Sequence, residues 1–275
     1  MNYLQSDHKK TARGNNVLVN DLNSKQLICV SFGGGTNSTA MIIGLWERGI
    51  RPDFITFADT GGEKPHTYKH IKDMQKWLRK VGFPEIVTVK KVDKNGDVLT
   101  LEDNCLQQKM LPSLAYGFKG CSQKYKIAPQ DKYFNNLPET KAEFKAGRKV
   151  IKMIGYDAGE TRRATIPEDG KYIYEYPMIE WGWSRDDCVA AINRAGLPQP
   201  SKSSCFFCPA NRVTEIKEMQ ALYPELIERA ITMEKNAQLT QVKGLGRNFS
   251  WENVIATDDM FADSYIEQVC GCYDG

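Results

Sequence analysis

The sequence predicts a doubly wound α/β domain: a mostly parallel sheet with helices on both faces. Two observations carry this. Short, nearly continuous apolar runs, LICVSF (27–32), DFITFA (53–58), IVTVKKV (86–92) and KVIKMIG (149–155), have the composition of strands buried on both faces. The first two are followed by segments with helical signals, and strand–helix alternation is the pattern of a parallel sheet.

Each element has its own reason. Residues 1–24 are polar and Asn-rich and read as an N-terminal arm. LICVSF ends in three glycines, after which Asn37 suits the cap of a helix through STAMIIGLWERG, with Gly49 where helices stop. Pro65 opens a second helix in which Tyr68, Ile71, Met74 or Gln75, Leu78 and Val81 recur at helical spacing, and Gly82 ends it. From about residue 201 the texture changes to two close cysteines, a helical stretch (213–237) broken at Pro224, and a Gly- and Cys-containing tail. The expected organisation is an arm (1–24), a main α/β domain (25–200) and a helical C-terminal appendage (201–275). There are no repeats and no low-complexity segment.

Composition sets bounds. A chain of 275 residues with 41% hydrophobic residues and five tryptophans can build an ordinary core, which excludes wholesale disorder. With 37 basic and 34 acidic residues, the net charge of +3 neither demands nor excludes a nucleic-acid partner. No apolar run approaches the roughly 20 residues of a membrane span, so no membrane partner is expected. The start, MNYLQSDHKK, lacks the apolar core of a signal peptide, so the expected address is cytoplasmic. There, eight cysteines point to thiols, metal ligands or redox groups and away from a disulfide framework.

The segment VSFGGGTNSTA places Gly33, Gly34 and Gly35 at a strand end just ahead of a helix. Glycines let backbone N–H groups approach an anion, the helix N-terminus adds partial positive charge, and Ser38 and Thr39 add hydroxyls. Ser31 through Thr39 therefore read as a phosphate loop. It is not the P-loop, because no lysine precedes Ser38. The same residues also suit a plain glycine turn before a well-capped helix.

This segment resembles the pyrophosphate loop, SGGxDS, of the adenine-nucleotide α-hydrolase (PP-loop) superfamily. Gly34, Gly35 and Ser38 match; Gly33 stands for the first Ser, Thr36 at a position often held by Lys, and Asn37 for the Asp. ITFADTGGEKPHTY (55–68) is similar to the DTG…PETY segment of the phosphoadenosine phosphosulfate reductase family. GYDAGETRRA (155–164) resembles a later loop of that family, and WGWSRDDCVAAINRAGLP (181–198) its following helix. The four matches run in the family's order across about residues 26–215. The resemblance implies nucleotide contacts from Ser31, Gly33, Gly34, Gly35, Thr36, Asn37, Ser38, Thr39, Asp59, Thr60 and Gly155. It also implies catalytic roles for Ser38, Lys124, Arg162 and Arg163. The departures have consequences: without an acid at 37 the loop loses a group that helps organise Mg²⁺, and Thr36 brings no charge to a leaving pyrophosphate. Lys124, Lys126, Arg162 and Arg163 are the cations considered for that charge.

CFFCP (205–209) is a CxxC pair in need of partners. The family often carries a cysteine at the place of Cys121, with a CxxC well downstream. This implies that Cys121, Cys205 and Cys208 hold an iron–sulfur cluster, or zinc if Cys105 or a tail cysteine is a fourth ligand. By residue type alone, Cys205 and Cys208 suit unligated thiols beside Phe206 and Phe207 equally well. Cys29 and Cys188 read as small core residues. The tail, VCGCYDG, partly echoes the ECGLH motif of sulfonucleotide reductases but lacks its Glu and His; two bystander cysteines, Cys270 and Cys272, fit as well. VKGLGRNFSWENVI (242–255) resembles segments of phage and DNA-modification members, with Arg247 as a substrate contact or part of a loop pinned by Trp251. His66 and His70 have metal-binding spacing without a third ligand in view, so they and the mixed charges of EKPHTYKHIKDMQKW read as a solvated face.

The resemblance is strongest to the ATP pyrophosphatase components of DNA phosphorothioation systems. It implies cleavage of ATP to AMP and pyrophosphate, adenylating an acceptor for sulfur transfer. ATP, Mg²⁺ and the cluster would be cofactors, and a sulfur-donor protein such as a cysteine desulfurase a partner, with nucleic acid a further candidate. Two other readings stay open: a sulfonucleotide reductase, and a non-catalytic nucleotide sensor with a structural metal.

Overall fold

A computed structural model describes residues 26–112 and 120–257. Five strands, β1 (Ile28–Phe32), β2 (Phe54–Asp59), β3 (Ile86–Lys90), β4 (Val150–Ile154) and β5 (Tyr172–Glu175), form one sheet in the order β3-β2-β1-β4-β5. All pairings are parallel, with Val30 opposite Ile55 on one side and Met153 on the other. The predicted doubly wound architecture is the one observed. Strand order reverses on either side of β1, and in such sheets ligands bind beyond the carboxyl ends at that switch point.

The period of two along β1 sorts its side chains onto two layers. Val30 and Phe32 enter a core with α1 (Thr36–Glu47) and α2 (Pro65–Val81), while Cys29 meets Phe134 and Val150 on the opposite face. That second face is covered by α5 (Ala128–Asn136) and α6 (Pro138–Lys145), which follow α3 (Leu101–Gln107), α4 (Gly120–Ser122) and a π-helical turn (Gln123–Ile127) in the chain. Beyond β4 come a 3₁₀ turn (Ala158–Arg163), α7 (Pro177–Glu180) and α8 (Arg185–Arg194), the last two packing on α1. A separate apolar cluster joins α9 (Val213–Leu222), α10 (Pro224–Asn236) and α11 (Trp251–Ala256) to Leu101, Tyr125, Phe206 and Phe207. Pro224 divides α9 from α10, as its missing N–H requires. Among the described residues no helix is long and apolar enough to cross a membrane.

Four expectations are corrected. Strand β5 was not foreseen; it is short and half-buried, and its neighbour Lys152 is sequestered with Asp131 beneath the rings of Tyr172 and Tyr174. Helix α1 starts at Thr36 with Gly35 as its cap residue, so Asn37 lies inside the first turn. The buried stripe of α2 is Thr67, His70, Met74, Trp77 and Leu78, rotated from the expected one. His70 is consequently buried, and so are Glu63 and Lys64 in the turn ahead of α2, where a solvated face was expected.

Candidate functional site

Two adjoining pockets lie at the carboxyl ends of β1 and β2. The first is lined by Ser31, Gly33, Phe57, Ala58, Lys126 and Gln130. The alternation along β1 aims Ser31 at the layer that carries Lys126 and Gln130, and its Oγ is buried without a hydrogen-bond partner. Such an orphan is costly unless something fills the pocket, so it marks a place for a polar ligand. Gly34 has φ +78, and a Cβ there would stand 3.2 Å from Thr67 Cγ2 and 3.5 Å from Phe57 Cε2. Only glycine takes that conformation without strain.

The rest of the loop is tied down. Ser38 Oγ and Thr39 Oγ1 both donate to Gly35 O, at 3.2 and 2.8 Å. With its proton so used, Thr39 accepts from His70 Nε2 at 2.8 Å. Burial drives the His70 pKa from 6.5 to about 4, leaving the ring neutral. Asn37 is 1% exposed; its Nδ2 donates to Asp157 Oδ2 (2.9 Å) and Glu160 Oε2 (2.8 Å), and its Oδ1 accepts from Arg185 Nη1 (2.6 Å). Arg185 Nη2 also donates to Thr36 Oγ1 at 3.0 Å. Gly155 packs against this turn, close enough that a Cβ would lie 2.8 Å from Ser38 Cα.

The second pocket is lined by Thr60, Cys121, Ser122, Lys126, Cys205 and Cys208, so Lys126 belongs to both. Residues 202–206 run antiparallel to 62–66: Phe206 N–H donates to Gly62 O, Lys64 N–H to Ser204 O and His66 Nε2 to Lys202 O. This brings Cys205 Sγ to 3.1 Å from Thr60 Oγ1 and 4.0 Å from Glu63 Oε1. Lys126 Nζ lies 3.5 Å from the same carboxylate oxygen. Burial, reinforced by Glu63, raises the Cys205 pKa well above the usual thiol range, so the group is a neutral thiol. Cys105 is buried in the adjoining cluster and raised to about 12, by burial first and then by neighbouring Cys121.

The predicted site residues are thus divided. Ser31 and Gly33 line the first pocket, and Cys121, Cys205 and Cys208 the second. Thr60 sits with the thiols, away from the loop. Asp59 spends its carboxylate on Gly61 N–H, Tyr68 O–H and Lys90. Arg163 pairs with Glu160 and stacks on Tyr156, Arg162 is exposed, and Lys124 faces solvent. Lys126 points inward because residues two apart in a helical turn face nearly opposite ways. The turn itself is widened: Ala128 N–H reaches back to Gln123 O, and Pro129, next in line, has no N–H to give. The buried Tyr125 between the lysines was the sequence signal that only one of them enters. Arg185, Asp157 and Glu160 were missed as loop partners, since none is near the loop in sequence. Cys29 and Cys188 are wholly buried, as expected of core residues. Arg247 takes φ +64 in a loop held by Glu234, whose carboxylate accepts from Leu245 N–H and Trp251 N–H. Cys270 and Cys272 lie outside the described residues.

No protein-family model matches the chain, and no curated protein matches it. Among solved structures it is similar to the U34-tRNA thiolase NcsA from Methanococcus maripaludis with its 4Fe–4S cluster. The identity is 10% and the TM-score 0.41, over 90% of this chain and 84% of that one. So distant a likeness carries no weight for the chemistry, which rests on the two pockets alone.

As a donor set, three thiols around one pocket suit an iron–sulfur cluster or zinc in kind. Among the described residues, however, no three His, Cys, Asp or Glu side chains stand as a ready ligand set. The neutral, buried Cys205 becomes a good ligand only once positive charge beside it draws off its proton.

Proposed function

We propose that this protein binds ATP in the glycine loop and splits it to AMP and pyrophosphate, activating an acceptor for sulfur transfer, with DNA phosphorothioation as the setting. The observation that carries this reading is the shared wall: Lys126 lines both the pocket of the orphaned Ser31 hydroxyl and the pocket of three thiols. A sensor with a structural metal would use the thiols but has no need of them next to the phosphates. An enzyme that exchanges an adenylated oxygen for sulfur needs both within reach.

In this mechanism the backbone amides of Gly33, Gly34 and Gly35 and the N-terminus of α1 hold the β- and γ-phosphates as a unit. An acceptor oxygen attacks the α-phosphorus, the bond to the bridging oxygen breaks, and its electron pair leaves with pyrophosphate. Lys126 stands where it stabilises that charge, and Ser38 re-aims its hydroxyl from Gly35 O to a phosphate oxygen. Mg²⁺ bound with the nucleotide would supply further charge neutralisation. Hydrosulfide, released when thiol reductant cleaves the S–S bond of a donor protein's persulfide such as that of a cysteine desulfurase, then displaces AMP, which carries away the acceptor's oxygen. Cys121, Cys205 and Cys208, with Cys105 adjoining, are the residues that would hold a cluster or zinc; a cluster would supply a thiophilic centre for handling sulfur.

The test is product identity. Chromatography after long incubation with ATP and Mg²⁺ should show AMP and pyrophosphate. ADP as the only product rules the mechanism out, and intact ATP with tight binding favours the sensor. Thioredoxin-dependent sulfite release from a sulfonucleotide would instead promote the reductase.

A further inference from the structure

We infer that Arg185 is a second cation, beside Lys126, that grips the polyphosphate in the glycine loop. The inference rests on the nucleotide reading above and adds a residue to it. The loop from Ser31 to Thr39 contains no charged side chain. A pyrophosphate group carries several negative charges, and backbone amides with a helix N-terminus offset only part of them. A side chain from elsewhere must complete the site. Arg163 is committed to Glu160 and Tyr156, and Lys126, which lines the pocket beside the loop, has part of its charge offset by Glu63, so a second cation is needed.

Arg185 is different. Its two bonds go to the loop itself, to Asn37 Oδ1 at 2.6 Å and Thr36 Oγ1 at 3.0 Å, both neutral oxygens. No carboxylate among the described residues pairs with it, so its charge is not cancelled in place. A guanidinium has five N–H donors in a rigid fork suited to phosphate, and three remain uncommitted. Its position is built, not incidental. Ser184 and Asp187 form a reciprocal capping box that fixes the start of α8, so Arg185 is the first helical residue. Trp183 O accepts from Ala158 N–H at 2.8 Å, tying that start to the β4 loop. On the other side of Asn37, Asp157 and Glu160 take the amide's N–H groups, which turns its oxygen toward the guanidinium.

The alternative role is a brace that only ties α8 to α1, and the two roles predict different ligand dependence. Calorimetry on the full chain would measure binding of inorganic pyrophosphate and of AMP to the parent, Arg185→Gln and Arg185→Lys. Phosphate grip predicts that Arg185→Gln weakens pyrophosphate about ten- to a hundredfold while AMP changes by less than about twofold. Arg185→Lys should fall between, keeping the charge but losing the fork. Unchanged pyrophosphate affinity in Arg185→Gln overturns the inference, and so does an equal loss for both ligands, the mark of a brace. If Arg185→Gln does not fold by thermal melt, Arg185→Lys decides by the same comparison. A parent that binds neither ATP nor pyrophosphate would sink the nucleotide reading and this inference with it; normal parent binding with indifferent variants sinks Arg185 alone.

Discussion

The carboxamide of Asn37 stands between two carboxylates and a guanidinium, and only an amide serves all three. Its two N–H groups satisfy Asp157 and Glu160, and its oxygen accepts from Arg185. The resemblance makes Asn37 look like a defect, a loop acid lost. In this environment an aspartate would surrender two donors and add a third negative charge beside Asp157 and Glu160. Asn37→Asp should therefore destabilise the fold by roughly 1–3 kcal/mol at neutral pH, read from denaturant unfolding. Repulsion would raise the pKa of the new carboxyl above its unfolded value, so its penalty is present at high pH and is relieved as pH falls. The gap between variant and parent should narrow on acidification toward about pH 4. A variant as stable as the parent at pH 7 would show that the three neighbours do not depend on the amide.

At the scale of elements, the site depends on how closely the end of β4 approaches the first turn of α1. Gly155 makes that approach possible: a Cβ would lie 2.8 Å from Ser38 Cα, 3.0 Å from Ser38 N and 3.2 Å from Asn37 C, all backbone atoms with no rotamer to yield. Gly155→Ala must displace the turn that carries Thr36, Asn37 and Ser38. The expected cost is about 1–3 kcal/mol of stability, as for other overpacked contacts, with ATP affinity down roughly tenfold as the loop amides lose alignment. Thermal melts and calorimetry check the two effects separately. Lost stability with undiminished ATP affinity would place the phosphates away from this turn.

Across the whole molecule, the thiol pocket draws on segments distant in sequence. Cys121 comes from the cover of the sheet, while Cys205 and Cys208 come from the strap that leads into the C-terminal helices. The sheet core and the C-terminal cluster thus meet where a metal would bind. If these thiols share one metal group, the Cys205→Ser, Cys208→Ser double variant should lose most iron or zinc from anaerobically purified protein. Cys29→Ser and Cys188→Ser should keep it, since both thiols are wholly buried in the main domain. Full metal retention in the double variant would return the CxxC to a plain turn.

Much of the architecture was legible in the amino-acid order because its causes are local. Four of five strands, the glycine loop and the start and stop of α2 follow from apolar runs, Gly geometry and Pro chemistry within a few residues. The C-terminal break at Pro224 follows in the same way. What surrounds the loop was not legible, because its causes are contacts between distant positions. Asn37 meets Asp157 across 120 residues and Arg185 across 148, and no periodicity reports such a meeting. Helical spacing found the apolar stripe of α2 but not its rotation, so His70 was read as solvated although packing buries it against Thr39. The sequence by itself determined the strands and the glycine loop at the end of β1. Tertiary packing decided which cations approach that loop, Lys126 lining its pocket and Arg185 bonded to Thr36 and Asn37, while Lys124 and Arg162 face solvent, because a side chain's direction is settled by what covers it.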